Sequence, residues 1–127
     1  MTILEFLDAR LAEDALTATA AIEQSPEWHA YYDYRDVKDA TGVYVIEADR
    51  AHPTLEQAAH IARHDPARVL RDVETKRQMV ARYRADLEDP NAAADLKSAN
   101  LERWLYICRL LAAVYAGHPD YREDWRP

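Results

Sequence analysis

Trp28-His29-Ala30-Tyr31-Tyr32-Asp33-Tyr34-Arg35-Asp36-Val37-Lys38-Asp39-Ala40-Thr41-Gly42-Val43-Tyr44-Val45-Ile46 is the one long stretch of this chain that does not read as helix. Its aromatic and β-branched runs, residues 28–34 and 43–46, favour extended backbone, and Lys38-Asp39-Ala40-Thr41-Gly42 between them has the composition of a connection. A β-hairpin is expected. Two strands alone are marginal in water, so the hairpin must lie on a helix or pair with another chain's edge. Strict alternation would put Trp28, Tyr32 and Tyr34 on one face and Tyr31 on the other. Together with Tyr44, these side chains are the candidates for a face left open to a protein partner or a second copy of the chain.

Upstream, Thr2 with Glu5 reads as a capping box, and Leu4, Leu7, Leu11, Ala18 and Ile22 recur on one helical face. This helix is expected to run to about residue 24, where Ser25-Pro26 removes a backbone donor and disfavours helical geometry. Downstream, Thr54 caps a second helix through about His64. Asp65-Pro66 then supplies the N-cap and first residue of a third, which runs to about Glu88 with an apolar stripe of Val69, Leu70, Val73, Val80, Tyr83 and Leu87. Asp89-Pro90 stops it. A fourth helix, residues 92–115, turns apolar nearly all round after Leu101, which makes its second half the expected most buried element. Gly117 is its expected left-handed cap and Pro119 its stop. The expectation is an α+β fold, mostly α: about four helices with one β-hairpin between the first and second. Length fits one domain over 1–127, with no repeat or linker.

Composition narrows the function. Two glycines in 127 residues, Gly42 and Gly117, leave no phosphate-cradling glycine loop. The net charge of −7 is confined to the first 50 residues, where eleven acids face four bases; residues 51–90 carry seven of each and 91–127 five of each. Such a field opposes nucleic acid and suits a basic partner surface. The one local basic excess, four charges over residues 63–84, lacks helix-turn-helix company and reads as a solvated or neutralised face. The apolar run 101–116 is too short and, with Glu102, Arg103 and Arg109, too charged for a membrane span. A single cysteine, Cys108, inside that run reads as a buried thiol suited to a reducing compartment, and no secretory signal is legible, so a cytoplasmic location is expected.

Two constellations stand out in the remaining polar residues. His60 and His64, four apart on a helix, could share one divalent ion, with His118 and Asp120 completing a mixed set suited to zinc. Ile61 stands where a zincin's glutamate would, so metalloprotease chemistry is unsupported. The simpler reading has both imidazoles closing the end of the second helix on its last carbonyls. In the tail, Tyr121 and Trp125 either pack onto the domain or form a hook for a partner, with Asp120 expected to pair with an arginine of the third helix. Ser25, Ser98 and Cys108 lack the surroundings of a nucleophile, and no carboxylate is isolated in an apolar pocket. A non-enzymatic binding protein without cofactor is therefore the leading expectation, and a metal-binding protein or metal-dependent enzyme on His60, His64, His118 and Asp120 the alternative.

The stretches His60-Ile61-Ala62-Arg63-His64-Asp65-Pro66-Ala67-Arg68-Val69-Leu70-Arg71 and Leu110-Leu111-Ala112-Ala113-Val114-Tyr115-Ala116-Gly117-His118-Pro119-Asp120-Tyr121-Arg122, with the opening Thr2-Ile3-Leu4-Glu5-Phe6-Leu7, resemble a family of small proteins of unknown function from actinobacteria and their phages. The resemblance covers about half the chain and leaves the hairpin aside. It implies an actinobacterial or phage origin and, if phage-encoded, residence in the host cytoplasm; it carries no catalytic residue, substrate or cofactor.

Overall fold

Local capping chemistry sets most helix boundaries in the computed structural model, which describes residues 1–127. Helix α1 spans Ile3–Ala20 and opens on the expected capping box: Glu5 N–H donates to Thr2 Oγ1 at 3.2 Å while Thr2 N–H donates to Glu5 Oε2 at 2.6 Å. Three strands follow, β1 (Trp28–Tyr31), β2 (Asp36–Asp39) and β3 (Tyr44–Ile46), then α2 (Leu55–Arg63), α3 (Pro66–Glu88), α4 (Ala94–Ala113) and a short 3₁₀ turn, Glu123–Trp125. Thr54 and Gln57 form a second capping box at α2, and Asp65 Oδ1 accepts the Arg68 N–H at 2.8 Å at the start of α3. The chain is thus mostly α, with a small antiparallel sheet between the first two helices. None of its helices is long and apolar enough to cross a membrane.

Two compact units divide the residues: Met1–Glu13 with Glu74–Pro127, and Asp14–Val73. In the first, the buried side chains are Ile3, Phe6, Leu7 and Leu11 of α1, Val80 and Tyr83 of α3, Cys108 and Ala112 of α4, and Trp125 of the tail. Cys108 is the buried thiol expected, and burial pushes its pKa up to about 11. The tail is docked. Trp125 is 7% exposed and, with Tyr121, Tyr115 and His118, rings Phe6 at centroid distances of 5.0–6.2 Å.

Three expectations for this unit are corrected. The second half of α4 is not the most buried element: α1 buries Phe6, Leu7 and Leu11, whereas α4 buries only Cys108 and Ala112, and Tyr106 and Leu110 with the cap residue Val114 form an exposed stripe at four-residue spacing. An all-round apolar composition permits burial but does not supply neighbours for every face. Gly117 does not adopt the left-handed conformation. Successive i→i+3 turns from Val114 to His118 satisfy the last carbonyls instead. Asp120 pairs with Arg10 of α1, at 3.6 Å, rather than with an arginine of α3.

The second unit holds the sheet, in the order β1-β2-β3. The expected connection, residues 38–42, overlaps the second half of β2; Asp36-Val37-Lys38-Asp39 is the central strand, paired antiparallel on both sides. One apolar residue is enough because it is the pivot of the packing. Val37 is fully buried with Ala58 and Ala62 of α2, and Trp28, Ala30, Val45, Ile46 and Ile61 pack around them. The flanking aspartates tie down the strand ends. Asp36 Oδ1 accepts the Ala48 N–H at 2.7 Å. Asp39, 2% exposed, accepts four hydrogen bonds, from the Thr41 hydroxyl and from the N–H groups of Ser25, Thr41 and Val43. The helix α1 also ends earlier than expected, at Ala20, with an i→i+3 turn from Thr19 to Ile22.

The Thr41 hydroxyl and these backbone donors hold the Asp39 carboxyl below an aspartate's ordinary 3.8, against the opposing effect of burial. A carboxyl lowered on folding adds stability that is complete above its unfolded pKa and is lost as pH falls through the folded value. Asp39→Asn should therefore unfold more easily at neutral pH yet lose less stability than the parent between about pH 5 and pH 2. Thermal melts of both chains over that range check this.

Candidate functional site

Register decides which side chains the sheet shows. Trp28 and Ala30 lie opposite Asp39 and Val37 and point toward α2, while His29 and Tyr31 lie opposite Lys38 and Asp36 on the other face; Lys38 in turn is opposite Tyr44. A bulge between Val37 and Lys38 lets Val45 and Ile46 both pack inward while Tyr44 stays on the outer face. The outer face therefore carries His29, Tyr31, Lys38 and Tyr44. The Lys38 ammonium sits 5.2 Å from the centre of the Tyr31 ring and 4.5 Å from that of Tyr44. Both tyrosines remain exposed.

Tyr32 and Tyr34 do not share a face with Trp28, because β1 ends at Tyr31 and the chain turns at once. Arg35 N–H donates to Tyr31 O at 2.7 Å, and Arg35 takes φ 58°, a left-handed conformation that costs a residue with a Cβ about 1–2 kcal/mol. Its guanidinium holds that turn by donating to the carbonyls of Asp49 and Pro53. Tyr32 and Tyr34 are left 68% and 73% exposed on the turn beside the open face. Trp28 faces the other way and is half-buried.

Three clefts border Trp28, and two of them have α2 or its connection to α3 as a wall. One, of about 250 Å³, lies between the C-terminal part of α1 and the α2–α3 connection, with Ala18, Trp28, His64 and Val69 among its walls. The other, about 380 Å³, lies along β1: Trp28, Ala30 and Tyr32 form one side, Ala59, Ala62 and Arg63 of α2 the other. Its walls carry no carboxylate.

The histidines separate into two settings. His64 Nδ1 donates to His60 O at 2.8 Å, closing the end of α2, and the two ring centres lie 4.3 Å apart with the planes tilted by 34°. His118 is engaged elsewhere: its Nδ1 lies 2.8 Å from Arg10 Nη1 and 3.1 Å from the Asp120 N–H. Both neighbours can only donate, so Nδ1 is the lone-pair nitrogen and that pair is occupied. Asp120 in turn pairs with Arg10. No three His, Cys, Asp or Glu side chains gather where they could hold a metal ion; of the expected set, His60 and His64 belong to the one compact unit and His118 and Asp120 to the other. Tyr121 and Trp125 are occupied in packing around Phe6, which leaves Trp125 no exposed face for a partner.

Arg10 was not singled out in the sequence. It is 6% exposed, donates to Glu13 Oε1 at 2.7 Å and to His118, and lies 5.2 Å from the centre of the Phe6 ring. Its partner His118 comes from 108 residues away, and the local pair with Glu13 does not by itself mark it. The whole arrangement is a tail clasp rather than a reactive centre.

A family model described as a family of unknown function (DUF6221) matches residues 1–127, the hairpin region included. No curated protein and no solved structure matches the chain.

Proposed function

The chain belongs to this family of unknown function along its whole length, and from that premise we propose that it is a non-enzymatic binding module whose contact surface is the open face of the sheet with its adjoining turn. The observation that carries this reading is the pair Tyr31 and Tyr44, both exposed on either side of one lysine, with exposed Tyr32 and Tyr34 on the adjoining turn. Tyrosine brings large contact area at small rotamer cost, and Lys38 held between two rings is already ordered before binding. A protein partner is the fit. The exposed stripe Tyr106, Leu110 and Val114 supports a second copy of the chain as an alternative partner, through a different surface. An actinobacterial or phage origin accords with the sequence stretches quoted above, and a cytoplasmic location with the single buried thiol.

Site-specific photocross-linking tests the reading. A benzophenone side chain at Tyr34 or Tyr44, in the full chain expressed in its host, should give one discrete adduct, and the same group at exposed Asn100 should give none. Tyr31→Ala in the cross-linking chain should remove most of the adduct, since a central interface tyrosine is worth about 2 kcal/mol or more. Adducts equally strong from Asn100, or none from the sheet, would contradict it. An adduct of twice the chain mass from Leu110 alone would transfer the interface to the α4 stripe.

A further inference from the structure

The hydrogen-bond alternation of the sheet leaves β1 with an unused edge. Ala40 N–H donates to Glu27 O at 2.9 Å, which makes Glu27 and Ala40 a bonded pair one step beyond Trp28 and Asp39. Bonded and unbonded pairs alternate in an antiparallel ladder. His29–Lys38 and Tyr31–Asp36 are therefore bonded pairs, and the backbone groups of Trp28 and Ala30 point away from β2. Two hydrogen bonds agree with this assignment. Trp28 N–H reaches outward to Asp65 Oδ2 at 3.0 Å, and Asp39 N–H turns to Val43 O, on the β3 side, at 2.8 Å. Asp65 thus closes the edge at Trp28. Beyond it, Trp28 C=O and both backbone groups of Ala30 stay open along the 380 Å³ groove.

Sheet edges are usually blunted by a lysine, a proline or a bulge. Here none of these occurs on β1; its one bulge lies on the far side of the sheet. The facing wall of α2 is lowered by Ala59 and Ala62, which leaves room for a main chain to approach. At the end of that wall stands Arg63, exposed and without a side-chain partner, and His29 lies on the opposite rim. The groove lining thus holds one guanidinium and no carboxylate, in a unit whose formal charge is negative, six bases against eleven acids over residues 14–73.

From this we infer that the free edge of β1 is a docking site for an extended acidic peptide, which adds as a fourth strand with its backbone on Ala30 and a carboxylate on the Arg63 guanidinium. Main-chain pairing supplies the general affinity, and the arginine supplies the selection for acid. The groove spans the five residues 28–32, so at about 3.3 Å per residue it takes a segment of four or five residues. This site adjoins the tyrosine face, with Tyr32 on the border of both, and uses neither the Tyr31 nor the Tyr44 side chain.

Selection from a random-heptapeptide display library on the full chain tests the inference, followed by titration of the most enriched synthetic peptide with amide exchange as readout. The enriched peptides should share a carboxylate beside an alternating β-branched pattern, and binding should slow exchange at Ala30. Arg63→Glu should weaken binding about tenfold or more, as expected for loss of a charge-assisted hydrogen bond. Ala30→Pro removes only an N–H outside the ladder, so it should abolish binding while the sheet persists; if that variant does not fold, Arg63→Glu and the Ala30 exchange rate still decide. Tyr31→Ala and Tyr44→Ala should leave the affinity unchanged. No enriched peptide, affinity indifferent to Arg63→Glu, or binding lost with Tyr31→Ala would each overturn the site. The last result would leave the tyrosine-face reading standing.

Discussion

Phe6→Ala should lower the unfolding free energy by about 3–5 kcal/mol, the cost of emptying a fully buried aromatic site. That is a large share of the 5–15 kcal/mol typical of a domain. The ring is the hub of the clasp: Tyr115, His118, Tyr121 and Trp125 all stand against it, and the Arg10 guanidinium lies over its face. Without it, Arg10 loses its aromatic contact and the tail loses the side chain that joins its four rings. Two effects are therefore expected together. The urea midpoint falls, and trypsin cuts after Arg122 well before the rest of the folded chain is attacked. Phe6→Leu keeps most of the volume and should cost less than half as much, with slower cutting. A tail equally resistant in Phe6→Ala would mean that its docking does not rest on this ring.

Val37→Asp should prevent the sheet from forming. Val37 has no exposed surface, and its side chain meets only Ala58, Ala62 and their apolar neighbours. A carboxylate there has no partner, and burying an unpaired ion costs several kcal/mol even after relaxation. Unfolding the strand and leaving the charge in water is the cheaper outcome. Val37→Thr is the graded control: it keeps the shape but buries a hydroxyl, at about 1–3 kcal/mol, and should retain the sheet at a lower melting temperature. Loss of the tyrosine chemical-shift dispersion in Val37→Asp and its retention in Val37→Thr would be the expected pair. A native spectrum for Val37→Asp would remove Val37 from the core.

Those two sites also show which parts of the structure the sequence made legible. Helix starts at Thr2, Thr54 and Asp65 were readable because cap and recipient lie within three residues of each other. The hairpin-like region was readable from its aromatic and β-branched content. The central strand was not, because Asp36-Val37-Lys38-Asp39 carries a single apolar residue and its charges look like a loop until their partners are known. Asp36 and Asp39 are satisfied by backbone donors of Ala48, Ser25, Thr41 and Val43, and that pairing is invisible in composition. The same holds for Tyr32 and Tyr34. Alternation would have set them on a face with Trp28, but the turn closed by Arg35 N–H on Tyr31 O takes them off the strand. In α4, apolar composition was read as burial, and the stripe Tyr106, Leu110 and Val114 shows that it was not sufficient.

The candidate surfaces divide in the same way. Tyr31 and Tyr44 could be nominated as a partner face from residue type alone, and their exposure supports that nomination. Of the histidine pair expected to close the helix end, the His64 ring does so, through Nδ1 on His60 O, while the His60 ring lies against that of His64. Arg10 and the open edge of β1 required the three-dimensional arrangement. The first has partners in the C-terminal tail, and the second exists only because Trp28 and Ala30 occupy unbonded positions of the ladder.

Both proposed surfaces depend on β2 lying in the middle of the sheet, with β1 at its edge. Backbone amide exchange of the free protein at neutral pH tests that arrangement most directly. Slow exchange at Val37, Lys38 and Asp39, with Ala30 exchanging as fast as an exposed loop amide, is the expected pattern. Fast exchange across residues 36–39, or an Ala30 amide as slow as its neighbours His29 and Tyr31, would contradict it.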